Sequence, residues 1–418
     1  RRVVCEAEVR LNRRTAPDLY QGVVAITEEA DGALALDGAG RPVDWVVVMK
    51  RFDQDNLFDR MAARGELNAA LTRDLADTIA EFHDAAERRP DLGGRAGIAA
   101  VIDGNMATLR GESAGAFPTQ DLDAIEGAWR DALAARGKML DARRAGGRVR
   151  WCHGDLHLRN ICLIDGRPTL FDGIEFSEAI AYIDVLYDLA FLLMDLGHRD
   201  LGELASVVFN RYLGRTEDVA GLAALGLFQS LRAGVRAMVG AIEAGQADAG
   251  QAADLSAEAR EYLALAFAFL EPSARRLIAI GGLSGTGKST LAAALAPLLA
   301  ALPGAVVLRS DLIRKRLFAA RPEQRLGAEA YEPAANRAVY DRLETLAEDG
   351  LAAGQVVVLD AVFARAGERA RVKAIAHAAH VPFHGLWLEA PPDILRARIG
   401  ARVGDPSDAT AAVLDRQL

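Results

Sequence analysis

Apolar residues recur along this chain in two rhythms, and the change from one to the other divides it. Between residues 66 and 89, Leu67, Leu71, Leu75, Ile79, Phe82 and His83 repeat at three- and four-residue steps and predict one face of a long helix. Upstream, residues 1–16 carry mixed charges on a helical period closed by Pro17. The β-branched runs 23–26 and 43–49 read as strands flanking the polar turn Asp37-Gly38-Ala39-Gly40. Residues 90–120, rich in Gly and small side chains, predict no definite element. Helix is expected again over 121–144, then short strands at 149–152, 161–164 and 169–171, then helix to about 270.

There the pattern shifts. Residues 244–259 are rich in Ala, Gly, Gln and Asp, and Glu271-Pro272-Ser273 stops the last helix. Beyond it, strands at 277–281, 305–308, 355–359 and 383–388 alternate with helices at 288–302, 336–349, 367–379 and from Pro392 onward. Such alternation implies a parallel sheet covered by helices on both faces. The expected architecture is α/β and α+β in two domains, 1–272 and 273–418.

Composition narrows the class. At 418 residues, 51% hydrophobic and 26% charged, the chain buries a sizeable core, which excludes disorder. Three cysteines (Cys5, Cys152, Cys162) exclude a disulfide scaffold and point to a reducing compartment, so a cytoplasmic location is expected. The longest apolar runs, such as 186–196, contain acids and fall short of the roughly 20 residues of a membrane span, so no membrane association is expected. A formal charge of −9 argues against nucleic acid as a partner. Only five of the 49 basic residues are lysines (Lys50, Lys138, Lys288, Lys315, Lys373), so a lysine at a motif position carries extra weight. The chain starts without methionine and stops inside a helical pattern, and it reads as a fragment truncated at both ends. The pattern is silent on oligomeric state.

Gly282-Leu283-Ser284-Gly285-Thr286-Gly287-Lys288-Ser289 satisfies every defined position of G-x-x-x-x-G-K-[ST], after an apolar strand and before an Ala/Leu helix. Glycines let successive backbone N–H groups converge on phosphate oxygens, and the helix N-terminus adds positive potential. Lys288 reaches the terminal phosphates and the Ser289 hydroxyl suits Mg²⁺. The expected nucleotide contacts are Gly282, Ser284, Gly285, Thr286, Gly287, Lys288, Ser289 and Thr290. Asp311, after the next strand in Ser310-Asp311-Leu312-Ile313-Arg314, is placed to hold or deprotonate an acceptor hydroxyl. Asp360 closes the third strand, placed to touch Mg²⁺ through water as a metal ligand or to hold the attacking group, and Arg396, Arg398 and Arg402 are candidate lid arginines, Arg402 toward the nucleotide. This half resembles small P-loop kinases of the gluconate kinase and zeta-toxin type, which implies phosphoryl transfer to a hydroxyl and leaves the acceptor open.

A second constellation lies at 153–175. His153-Gly154-Asp155-Leu156-His157-Leu158-Arg159-Asn160 is followed by Phe171-Asp172-Gly173-Ile174-Glu175. Asp155 can accept the proton of an acceptor hydroxyl, while Asn160 and Asp172 offer a neutral and a charged oxygen to Mg²⁺. A zinc alternative uses Cys152, His153, His157 and Cys162, although adjacent positions point apart and no C-x-x-C pair is present. The H-G-D-L-H-x-x-N run with its D-G step resembles the aminoglycoside and choline phosphotransferase family, distant relatives of protein kinases. That resemblance makes Asp155 the catalytic base, Asn160 and Asp172 the metal ligands, His153 a structural residue and Asp188 an anchor for the loop. It also implies a strand lysine paired with a helix glutamate. Glu8, with Glu6 as substitute, suits the glutamate, yet residues 1–49 contain no lysine and Lys50 stands where the interlobe hinge is expected.

Both halves in this order resemble bacterial two-domain proteins with an aminoglycoside phosphotransferase-like domain followed by a P-loop kinase or ATPase. The expected function is an ATP- and Mg²⁺-dependent phosphotransferase with two sites acting on hydroxyls of small metabolites, with Asp155, Asp311 and Lys288 catalytic. The alternative is a nucleotide-binding regulatory ATPase with a degenerate pseudokinase half. A polynucleotide end kinase is disfavoured, because basic stretches interleaved with aromatics are missing.

Overall fold

The computed structural model describes residues 1–418 apart from 114, 176, 402–406, 411–412 and 416–418. Two compact units are formed, one from residues 1–200 and 224–270 and the other from 201–223 and 271–418. A helical period shows that 201–223 is helical but not which core its apolar face joins.

The first unit opens with α1 (Arg2–Asn12), followed by β1 (Tyr20–Glu28), β2 (Leu34–Leu36) and β3 (Arg41–Met49) in an antiparallel sheet of order β2-β1-β3. Val9 of α1 shares a buried cluster with Ala16, Leu19 and Tyr20, and Val47, Phe52, Ile164 and Phe171 pack around it. Then come α2 (Phe58–Ala63), α3 (Ala69–Ala85), α4 (Gly94–Arg110) and α5 (Thr119–Ala145). Asn68 caps α3 by accepting from the N–H groups of Ala70 and Leu71, each at 3.0 Å. Helix α4 occupies the stretch that predicted nothing. Its glycines blur the period, yet Ile98, Ile102, Met106 and Leu109 all face inward.

Next are β4 (Val149–Trp151), the hairpin β5 (Ile161–Ile164) and β6 (Arg167–Leu170), α6 (Glu178–Ala181), β7 (Tyr182–Asp184) and α7 (Val185–His198). Strand β7, too short for sequence periodicity to reveal, pairs antiparallel with β4. Every residue of α7 from Val185 to Leu196 is buried. Its cap, Asp184, accepts from Leu186 N–H and takes a two-pronged ion pair from buried Arg143 at 2.7 Å per bond. After α8 (Gly202–Thr216), which belongs to the second unit, α9 (Leu225–Gln246) and α10 (Ala249–Ala268) complete the first.

The second unit is built on β8 (Leu277–Gly282), β9 (Val306–Arg309), β10 (Val357–Asp360) and β11 (Phe383–Leu388), all parallel, in the order β11-β8-β10-β9. They alternate with α11 (Lys288–Leu299), α12 (Ser310–Leu317), α13 (Pro333–Ala352), α14 (Ala366–Ala378) and α15 (Pro392–Gly400). Ile278, Ile280, Val356 and Val358 meet Ala292 and Ala296 of α11 on one face. On the other, Gly350 of α13 comes so close to Val357 that a Cβ there would lie 2.8 Å from its Cγ2. Strand β8 runs on into α11, whereas its neighbour β10 runs on into α14, which packs beside α13, so the two send the chain to opposite faces and open a crevice at their carboxyl ends. The expected mixed fold, with a parallel sheet covered on both sides, is observed. Among the described residues no helix is long and apolar enough to cross a membrane.

Candidate active sites

In the first unit the loop 153–160 is held from beneath by Asp188, which is completely buried on α7. Its carboxylate accepts from the backbone N–H groups of His153 (3.1 Å) and Gly154 (2.9 Å) and meets His83 Nε2 at 3.0 Å. Burial alone would raise its pKa, but the hydrogen bond from His83 and the charge of Arg232 help to hold it below the ordinary value. His153 ties the loop to the following hairpin. Its Nδ1 accepts from Asp155 N–H, so Nε2 carries the proton and donates to Phe171 C=O at 2.8 Å. Burial lowers the pKa of His153, in keeping with this neutral form.

On that frame, Asn160 donates through Nδ2 to the Asp155 carboxylate at 2.8 Å and to its carbonyl at 3.0 Å. Both amide hydrogens are thereby used, which leaves Oδ1 as an oxygen for other partners. His157 Nε2 lies 3.2 Å from the same carboxylate, and its ring packs edge-on against Phe191. Burial pushes the Asp155 carboxyl up, but the hydrogen bond and charge of His157 outweigh it, and the pKa falls to about 2.

Asp172 stands at φ +62°, in the left-handed region, with its N–H given to the hydroxyl of buried Tyr20 at 3.1 Å. Gly173 N–H donates to buried Asn12 Oδ1 at 2.8 Å, which ties this turn to α1. Burial and the charge of Asp155 raise the pKa of Asp172. Glu8 is raised by burial, by Glu175 and by Asp172. Three carboxyl groups thus crowd one edge of the site, and with Asn160 Oδ1 they are the hard oxygen donors a divalent cation selects.

In the second unit the phosphate loop takes the backbone its glycines permit. Gly282, Gly285 and Gly287 have φ of +141°, +88° and +94°. A Cβ on Gly282 would lie 2.5 Å from Leu388 O, and one on Gly285 would lie 2.9 Å from Leu395 O. Thr286 Oγ1 donates to Leu283 O at 2.9 Å, and Lys288 Nζ folds over the loop onto the same carbonyl at 3.0 Å. Ser289 Oγ donates to Asp360 Oδ2 at 2.6 Å, and Arg309 Nε lies 3.2 Å from that oxygen. The hydroxyl and the carboxylate are again a set suited to Mg²⁺.

Asp311 opens α12 next to this group. Burial raises its pKa, against the lowering charges of Arg309 and Lys288. Arg398 NH1 reaches Gly285 O at 3.4 Å, whereas Arg396 turns away to pair with Asp415 at 2.7 Å. Thr290 lies exposed in the first turn of α11, and Arg402 lies outside the described residues.

The zinc ligands weighed from the sequence face separate partners. Cys152 Sγ points to Ile183 O and Cys162 Sγ to Thr169 O. A buried His83–Cys152–Asp188 group has metal-like spacing, but its carboxylate is already committed to two loop amides and His83. Sequence reasoning gave no role to His83, Asn12 or Tyr20. Only His157, inside the H-G-D-L-H run, carried a readable signal.

The family model of the phosphotransferase enzyme family matches residues 5–225, which include the whole Asp155–Asn160–Asp172 constellation. The chain belongs to that family. A second model, an AAA domain, matches residues 277–418 with the phosphate loop at its start, so a phosphotransferase domain precedes a P-loop domain. An uncharacterized protein of Mycobacterium tuberculosis (strain ATCC 25618 / H37Rv) is 32% identical over 421 residues, spanning 98% of this chain and 80% of the relative. The corresponding Mycobacterium bovis protein gives the same values. Among solved structures, a Plasmodium vivax ethanolamine kinase is similar at TM-score 0.37 and 13% identity, over 53% of this chain and 64% of that one. A choline kinase from Cryptosporidium parvum is similar at TM-score 0.37 and 11% identity, over 53% and 70%.

Proposed function

We propose that the protein is an ATP- and Mg²⁺-dependent phosphotransferase with two kinase-type sites, each moving the γ-phosphoryl group of ATP to a hydroxyl of a small metabolite. The observation that carries this reading is the Asp155 carboxylate, kept ionised by His157 and fixed by Asn160 on a loop that buried Asp188 pins. A carboxylate so held is a general base ready for a hydroxyl proton. Asn160, Asp172 and Glu8 supply the oxygens that would hold Mg²⁺ in the first unit, and Ser289 and Asp360 those in the second. Bound Mg²⁺ supplies charge neutralisation of the phosphates. In the second unit Lys288 and the loop amides hold the phosphates, and Asp311 receives the acceptor.

One observation favours a regulatory first unit. The charges acting on Glu8 are those of Glu175 and Asp172, both negative, rather than a lysine. ADP release over a panel of sugars, amino sugars and amino alcohols separates the readings, using the parent, Asp155→Asn, Lys288→Ala and the double variant. Two active sites predict a different acceptor lost with each single variant. Full activity in all three variants refutes the phosphotransferase reading, and loss in Lys288→Ala alone supports the regulatory one.

A further inference from the structure

Asp311 already has a hydroxyl on it. The side chain of Ser407, which arrives from the far end of the chain, is hydrogen-bonded to the Asp311 carboxyl. Ser407 is only partly exposed, and its neighbour fixes it there. Asp408 Oδ2 is paired with buried Lys315 Nζ at 2.6 Å and accepts from Tyr331 O–H at 2.6 Å and from Leu326 N–H at 3.1 Å. Lys315 also donates to Gln324 O, so cation and anion are both satisfied inside the protein. Neutralising charges and three donors on one carboxylate make this a fixed attachment rather than a passing contact. The charges felt by Asp311 include those of Arg309, Asp360 and Lys288, which places its carboxyl beside the phosphate-handling group.

We propose that Ser407 is an internal stand-in for the acceptor: its hydroxyl fills the position on Asp311 that the acceptor's hydroxyl takes, and so keeps water from that position. The inference rests on Asp311 being the acceptor-binding carboxylate of the P-loop site. Without such a plug, water on Asp311 attacks the γ-phosphorus, the bond from that phosphorus to the ADP oxygen breaks, and the water proton passes to Asp311. ATP is then hydrolysed with no acceptor present. A true acceptor displaces a single hydrogen bond, a small cost, and leaves the Asp408 attachment in place.

The test uses the full chain in an Asp155→Asn background, so that the first unit is silent, with MgATP and no acceptor. Ser407→Ala and Ser407→Gly are expected to raise ADP release about tenfold, and Ser407→Thr, which restores a hydroxyl, to bring it back down. Adding Asp311→Asn to Ser407→Ala is expected to remove the gain. The part of the ADP-induced thermal shift that Lys288→Ala removes reports that the nucleotide pocket of the second unit is folded in every variant. An unchanged rate in Ser407→Ala and Ser407→Gly, with ADP still bound, overturns the proposal. So does an 80-Da mass gain on Ser407 in the parent, which would make it a substrate rather than a plug. If Lys288→Ala leaves both ADP binding and hydrolysis intact, the P-loop reading itself fails, an outcome distinct from either.

Discussion

Asn160 and Asp155 face each other across the turn of the loop, with the amide donating to both the carboxylate and the carbonyl of the acid. One residue thereby fixes the backbone and the side chain of the proposed base and keeps its own carbonyl oxygen turned outward. Replacing Asp155 by Asn removes the proton acceptor while nearly preserving shape. In a Lys288→Ala background, transfer to an acceptor at the first site is expected to fall about 10²–10⁴-fold, the usual contribution of a general base. Steady-state ADP release checks it, and an unchanged rate would remove Asp155 from catalysis.

The acid limb of that activity should depend on His157. The folded pKa of Asp155, about 2, lies below the ordinary value near 3.9, so its ionised form is favoured at and above neutrality and lost only as pH falls toward 2. The parent profile is expected to stay flat down to the onset of acid unfolding. In His157→Ala the desolvation of Asp155 remains while its largest opposing partner is gone, leaving the charges of His153 and Arg232, so the limb should move to higher pH. A pH profile of kcat/KM in which both proteins share one limb would show that His157 has no hold on the base.

Asp188→Ala is expected to be costly because of what it strands. The N–H groups of His153 and Gly154 would lose the buried carboxylate that accepts from them, and His83 would lose its ion-pair partner. Removing one side of such a buried ionic network costs about 3–5 kcal/mol. Denaturant unfolding followed by amide exchange at residues 153 and 154 is the measurement. A loss under 1 kcal/mol with protected amides would mean the loop is pinned from elsewhere.

Gly285→Ala should disable nucleotide binding in the second unit without touching a side chain that contacts phosphate. Its φ of +88° and the approach of Leu395 O both oppose a Cβ. Forcing alanine there costs about 1–3 kcal/mol and bends the amides away from convergence. Calorimetric titration with MgADP is expected to show affinity lowered at least tenfold; parent-like binding would show that the loop tolerates the strain.

Much of this was legible in the residues themselves. The phosphate loop could be read because its glycines, lysine and serine must occur at fixed spacing for backbone amides to surround phosphate. The 153–172 set could be read for the same reason. What stayed hidden depends on contacts distant in sequence. His83 looked like one more inward position on an amphipathic helix, because the period marks burial but not the carboxylate 105 residues away that it meets. Asn12 and Tyr20 serve the Asp172 turn through tertiary contacts that no local spacing encodes. Helix α4 was masked by glycines, and the membership of 201–223 was invisible because amphipathic helices carry no address.

That membership bears on how the protein can be taken apart. Asn210 of α8 spends its side chain on the open margin of β9, where Nδ2 donates to Ala305 O at 3.1 Å and Oδ1 accepts from Val307 N–H at 2.7 Å. A side-chain amide there does the work of a missing neighbouring strand. A fragment begun at residue 273 would lack it and would present bare backbone donors and acceptors along the rim of a parallel sheet, an invitation to intermolecular pairing. Dissection at the point where the sequence changes rhythm would therefore yield a sticky, self-associating piece, and a soluble second half would have to carry 201–223 grafted back onto it.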